Sequence, residues 1–394
     1  MIRTRDPLVP NQMRYQAALR PALPSCNIGH QLRLGWDTGF VLILQEQGGR
    51  LKRGISRLGP VPFCGMIGPT MTRSRLRAPV AAALLMALAA PVQARPMEIV
   101  ATGLSYPEGP LLAPGGGILI ADMELNQIIW WRDDGARTAI DTGDCGPTAI
   151  TQIWNPEDGN GALSIACHMR HEVRRVSVFM AERATGESVL EFFLPPIGPV
   201  AEVNRPNDMT GNEAGAIYVT SSGEFDPALI GQGSVWLINP ASRGAVARQV
   251  AEGFNYANGI ALSPDGKSLL VSEHFTGKIW RFAIAADGDL YARELFAELP
   301  LPEGASWLTG ADGIEFIGDG AVAIAQYGAG RVFIFGPDGS VLAMHETPGF
   351  PLVTNLVMDP ASQTLYATTS RPVPVAQGGG HEGVLMAIAQ PLRP

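Results

Sequence analysis

Short apolar runs recur along this chain at nearly even spacing. Each follows a Gly-rich or Asp-Gly turn, and they begin at Ile118, Leu163, Ile217, Leu269, Val322 and Leu365, so successive starts lie 45, 54, 52, 53 and 43 residues apart. Most are followed, after a polar turn, by a second run such as Ile128-Ile-Trp-Trp131, Val235-Trp-Leu-Ile238 or Val332-Phe-Ile-Phe335. Runs this short and this rich in β-branched residues make strands rather than helices. Each unit also has an apolar run before the first of these strands and usually one after the second. Four strands in roughly 40–55 residues is the arithmetic of a propeller blade. The expected fold is therefore all-β: a six-bladed β-propeller with four-stranded blades. The last unit ends at its third strand, near Val384-Leu-Met-Ala-Ile388. The run Met97-Glu-Ile-Val-Ala101, within about residues 97–104, is free to supply the missing outer strand and close the ring, which removes two exposed sheet edges. The 46 Gly and 32 Pro, spread along 394 residues, agree with a turn-rich β globule rather than a helical bundle. Trp130, Trp131, Trp236 and Trp280 lie inside strand runs and are expected to pack between blades.

A polar residue opens the innermost strand at a near-constant distance before the following run. Glu108, Asn207, Asp312 and Asn355 precede it by 10 residues and Asn258 by 11, while the second unit carries an insertion and offers Thr148. Equivalent positions in a closed ring face its axis at one end. Two carboxylates and three amides are thus expected at one mouth of the channel. Carboxylates this close repel unless a positive charge lies between them. Oxygen donors without His or Cys favour a hard cation, calcium before zinc. The competing reading is that Asn-Gly and Asp-Gly are ordinary turn dipeptides. It suits Asp265-Gly266, Asp287-Gly288 and Asp338-Gly339, but Glu108-Gly109 and Asn355-Leu356 are not turn dipeptides.

Charge divides the chain. Residues 1–94 hold 12 Lys and Arg against 3 Asp and Glu, a balance of +9, whereas the remaining residues hold 17 against 34, a balance of −17. The net −8 leaves no basic footprint for nucleic acid. Met71 opens a segment, residues 71–94, with the parts of a secretory signal. Arg73, Arg75 and Arg77 precede an Ala- and Leu-rich stretch, and Val92-Gln93-Ala94 offers small residues before a cleavage point. The apolar stretch is short for a bilayer span; a buried N-terminal helix is the alternative. Translation is then expected to begin at Met71, with residues 1–70, which show no sustained period, a non-native or disordered extension. The domain proper would be residues 95–394, exported to the periplasm or medium. Its two cysteines, Cys145 and Cys167, would there form one disulfide or remain two buried thiols. No Gly-x-Ser-x-Gly elbow, P-loop or dinucleotide fingerprint is present.

The strings Glu108-Gly-Pro110, Arg205-Pro-Asn-Asp208, Asn258-Gly-Ile-Ala-Leu-Ser-Pro-Asp-Gly266, Asp312-Gly313, Thr354-Asn355 and Leu365-Tyr366 carry a resemblance. Together, in this order, they resemble the family of senescence marker protein (regucalcin), gluconolactonase and luciferin-regenerating enzyme. The resemblance implies one divalent ion, usually calcium, held by Glu108, Asn207, Asn258 and Asp312, and metal-assisted opening of a lactone. Relatives with the same arrangement hydrolyse organophosphates. Asp312 is implied as the general base for the attacking water, or as a purely structural ligand. Asn355 is expected at the rim of the substrate site. Arg205 would orient a substrate oxygen or pair with a surface carboxylate. Asp208 would steady a neighbouring loop or ligand, and His168 and His274 would line the substrate pocket or lie on solvated loops, as would His171. The string Cys167-His-Met-Arg-His171 departs from the family's usual Cys-Glu-His. A small-molecule lactone, a monomer and no lasting membrane span complete the expectation. The rival is a non-catalytic ligand-binding propeller with a structural ion.

Overall fold

The computed structural model describes residues 94–391 except 136, 156–159, 183–187, 193–196, 213–214, 240–245, 319 and 390, together with three strands between residues 31 and 57. These residues fall into two compact units, Met1–Val80 and Ala81–Pro394. In the first, Gln31–Gly35, Phe40–Gln47 and Arg50–Arg57 form an antiparallel three-stranded sheet. These three strands lie within residues 1–70, the stretch expected as a non-native or disordered extension. The run Phe40-Val-Leu-Ile-Leu44 favours a strand, but it is too short to set a period across the segment. The secretory segment lies outside the described residues except Ala94.

The second unit is all-β, built from four-stranded antiparallel sheets arranged as in a propeller. Pro107–Leu112 begins one sheet, followed by Ile118–Asp122, Gln127–Trp131 and Arg137–Asp141 in hydrogen-bonding order. Pro206–Gly211 and Ala257–Leu262 begin two more of the same meander. The sheet beginning at Pro147–Asn155 gains a fifth strand, because Ser188–Phe192 and Ile197–Glu202 both pair with Glu172–Glu182. Gly310–Ile317 and Leu352–Asp359 begin the last two meanders, which a single pair, Tyr327 with Leu352, joins into one sheet. The first strands touch in the order Pro107, Pro147, Pro206, Ala257, Gly310, Leu352 and back to Pro107.

Closure follows the expected route. Glu98–Leu104 pairs antiparallel with His381–Ala389 and becomes the outer strand of the final meander. Ala94–Pro96 adds parallel to Val341–Glu346, a strand not anticipated from the sequence. The core lies between neighbouring sheets. One cluster, for example, packs Leu270 and Ile279 against Ile324 and Phe333 of the next sheet. Trp130 and Trp131 are buried, and Trp236 and Trp280 pack partly buried against such clusters.

Candidate functional site

Every innermost strand slips register once against its neighbour, and at the same height. The irregularities fall between Glu108 and Pro110, Pro147 and Ala149, Pro206 and Met209, Ala257 and Ile260, Ala311 and Ile314, and Val353 and Asn355. A bulge re-aims side chains out of the regular pleat. Here Glu108, Thr148, Asn207, Asn258 and Asp312 all line one cavity of about 500 Å³.

Two of these five are acids. Burial, then the neighbouring Asp312 and Asp208, raise the Glu108 carboxyl well above the usual range. Burial and Asp208 do the same to Asp312, against a hydrogen bond from the Asn258 side chain and one from the backbone of Gly313. Among the described residues no lysine or arginine lines the cavity. Among the described residues no three His, Cys, Asp or Glu side chains gather as a metal cluster. The donor set is instead two carboxylates and two amides, Asn207 and Asn258. That is the hard-oxygen chemistry that suits calcium, and two carboxylates without a counter-charge fit a divalent ion.

Asn355 is not in this cavity. It lines a second one with Asp208, Glu315 and Met358. Its side chain is hydrogen-bonded to Asp208, whose carboxylate also accepts from the Met209 and Ile260 amides at 2.8 and 3.1 Å. The expectation of Asn355 at the substrate rim, and of three amides at one mouth, is corrected accordingly. The strand residue equivalent to Asp312 is Thr354: Ala311 pairs with Gln326 as Val353 pairs with Thr369. Thr354 is buried and donates to the Pro107 carbonyl oxygen at 2.6 Å. Asp208 does tie strands together, linking its own strand to the next through Ile260.

Arg205 takes the surface alternative, donating to Glu224 at 2.9 and 3.1 Å. His168 and His274 line the cavity and share one device. Each follows a second strand and sets Nδ1 against a carbonyl just before a site residue, Pro206 at 3.1 Å and Ala311 at 3.2 Å. Burial lowers both to a pKa of about 4, so both are neutral near pH 7. His171 is exposed and bonded to Asn204. Cys145 and Cys167 form a disulfide.

Several cavity residues were not singled out from the sequence, among them Tyr106, Tyr256, Tyr327, Phe225 and Met169. A signal existed for two: Tyr106 and Tyr256 each stand two places before a site residue. Tyr256 and Arg205 hold positive φ, 67° and 46°, an uncommon conformation for such side chains and one found often at functional sites. Phe225 gave no signal, because it sits in the polar connection Ser222–Gln232, which has no period.

Propeller-like four-stranded sheets whose inner strands bring acids and amides to one cavity define the class of protein. The sequence model of the SMP-30/Gluconolactonase/LRE-like region matches residues 106–371, and the chain belongs to that family. A gluconolactonase of Zymomonas mobilis is 24% identical over 300 residues, covering 71% of this chain and 80% of its own. The diisopropyl-fluorophosphatase of Loligo vulgaris is 26% identical over 241 residues, covering 55% and 72%. The structure of regucalcin from Agrobacterium tumefaciens, titled a calcium-binding protein, superposes with a TM-score of 0.55 at 20% identity, over 75% of this chain and 97% of the other.

Proposed function

We propose that the protein is a calcium-dependent hydrolase that opens a lactone, on a six-bladed propeller. The observation that carries this is the pairing of Glu108 and Asp312 with two amides in a cavity with no lysine or arginine among its described lining residues. The relatives named gluconolactonase and diisopropyl-fluorophosphatase support the hydrolase reading. Glu108, Asn207, Asn258 and Asp312 would hold the ion. The chemistry a bound calcium supplies there is Lewis-acid polarisation of a carbonyl. The water oxygen would bond to the lactone carbonyl carbon as Asp312 takes its proton, and the ring C–O bond then breaks as that proton passes to the leaving oxygen, giving the hydroxy acid. Burial and Asp208 raise Asp312, so the ionised carboxylate that this step requires would depend on the charge of the bound ion, with the Asn258 hydrogen bond acting in the same direction. His168 and His274, neutral and tethered at Nδ1, shape the pocket beside it. Glu108 contributes charge and position.

The 26% identity with a diisopropyl-fluorophosphatase favours a phosphotriester as a second substrate to assay. Export as a monomer, with cleavage near Ala94 and a start at Met71, belongs to the same proposal. The Cys145–Cys167 bond supports an oxidising compartment. Among the described residues no helix is long and apolar enough to cross a membrane.

Purified protein, stripped with chelator and dialysed against calcium, should retain close to one equivalent by elemental analysis. It should hydrolyse simple δ-lactones in a pH-stat assay only when the ion is restored. Calcium uptake without hydrolysis of any lactone or phosphotriester would favour a binding protein with a structural ion. Full activity in excess chelator would overturn the metal-dependent reading.

A further inference from the structure

Away from its oxygen donors the cavity wall is a run of rings. Phe225 packs on Tyr256 and His274 with centroids 4.9 and 5.3 Å apart, and His274 packs edge-on to Tyr327 at 5.7 Å. The Tyr106 hydroxyl donates to that of Tyr327 at 3.0 Å, and the Tyr106 ring meets His381 at 4.7 Å. Met123 and Met169 also line the cavity. Outward from Phe225 the surface continues into Phe275 and Trp307, at 5.2 and 5.6 Å, and Trp307 is 54% exposed.

The polar atoms of this wall are largely engaged. Tyr106 and Tyr327 bond each other, Tyr256 bonds Ser222, and both histidines commit Nδ1 to the backbone. The Asn126 carbonyl accepts from the Gly146 amide at 2.7 Å, and Glu124 accepts from Ser105 and the His381 amide. Arg205 is held by Glu224. The exceptions are two buried ring nitrogens without a hydrogen-bond partner, Nε2 of His274 and Nδ1 of His381, the latter 3.4 Å from the Glu124 carboxylate. Two such atoms cannot satisfy the several hydroxyls of a sugar lactone, and each hydroxyl desolvated without a partner is costly. A flat or aliphatic substituent would lose nothing and would bury its carbon against the rings.

We infer that the substrate is a lactone bearing an aryl or alkyl substituent, not a polyhydroxylated sugar lactone; this rests on the lactone-hydrolase reading above. The calcium-loaded protein should be assayed on δ-valerolactone, a phenyl-substituted δ-valerolactone and glucono-1,5-lactone. Binding of the corresponding unreactive lactams should be measured alongside by calorimetry. The phenyl lactone should exceed the sugar lactone in kcat/KM by about tenfold or more, as burial of a ring would give, and the lactams should bind in the same order. Phe225→Ser should bring the phenyl-to-unsubstituted ratio toward one. Trp307→Gln, on an exposed side chain, should do so in part without threatening the fold. Equal or better turnover of the sugar lactone, or a ratio that neither variant moves, overturns the inference. Failure to hydrolyse all three lactones overturns the hydrolase reading instead, and the lactam order then still decides the preference of the wall.

Discussion

Thr354 and Asn355 are adjacent, yet one closes against a neighbouring strand and the other faces the second cavity. Successive strand residues point to opposite faces, so an error of one position moves a side chain from one side to the other. Counting back 10 residues from Leu365 lands on Asn355 because this hairpin is one residue longer than those that begin at Pro107, Pro206 and Gly310. Met358 pairs with Leu365, whereas Leu112 pairs with Ile118. The same extra residue explains why Asn258 needed a count of 11, and there the polar residue type was followed correctly. The placement separates the roles of two residues that the sequence put together. Asp312→Asn should keep the fold and lose hydrolysis by roughly 10²–10⁴-fold, the usual worth of a general base. Asn355→Ala should keep both ion and rate while lowering the melting temperature, since buried Asp208 loses a donor. Steady-state rates, calcium content and a melting curve on both variants check this; an Asp312→Asn enzyme as fast as the parent would remove Asp312 from the chemistry.

The inner strands also explain their glycines. Gly109, Gly259 and Gly313 follow site residues inside strands and none has positive φ, unlike Gly266, Gly288 and Gly339 in the true turns. They are glycines because the strands crowd one another. A Cβ on Gly259 would come within 2.3 Å of the Asp312 carbonyl oxygen, and one on Gly109 within 2.7 Å of the Ala149 Cα. Asp-Gly therefore has two meanings in this chain, which the dipeptide alone does not distinguish but its distance to the next strand does. Gly259→Ala should push the Asn258 and Asp312 strands apart, costing about 1–3 kcal/mol or more as overpacking does, and should weaken calcium binding. Calorimetric binding and chemical denaturation test it. Wild-type affinity and stability in Gly259→Ala would mean that the strands are not held this closely.

At the scale of the molecule, the interior acids make stability depend on pH and on the ion. Burial raises Glu315 to about 8, chiefly by desolvation, while Glu108 and Asp312 are also raised. Stability from a raised acid is present below its unfolded value and is lost as pH climbs through the folded one. His168 and His274 act oppositely, but with folded values of about 4 their effect is complete once pH passes about 6.5, the unfolded value. Between pH 6.5 and 8.5 the calcium-free protein should therefore melt at progressively lower temperature. Calcium, which requires ionised carboxylates, should raise the melting temperature more at pH 8 than at pH 6. Scanning calorimetry with and without chelator measures both; a calcium-free melting temperature that rises across this range would contradict the assignment of these groups as buried acids.

Spacing and residue type alone determined the strand-rich fold, the closing strand at Glu98–Leu104 and five oxygen-bearing positions, of which four, Glu108, Asn207, Asn258 and Asp312, share a cavity. These are legible because strand periodicity and repeat length are local properties, and a repeat carries equivalent residues to equivalent places. Tertiary structure alone decided that Asn355 belongs with Asp208, that Arg205 is occupied by Glu224, and that Phe225 and Trp307 meet beside the site. Those outcomes depend on hairpin length and on how long connections fold over the ends of the sheets. The Phe225–Trp307 contact joins residues 82 positions apart, and a separation of that size leaves no periodic trace in a single chain.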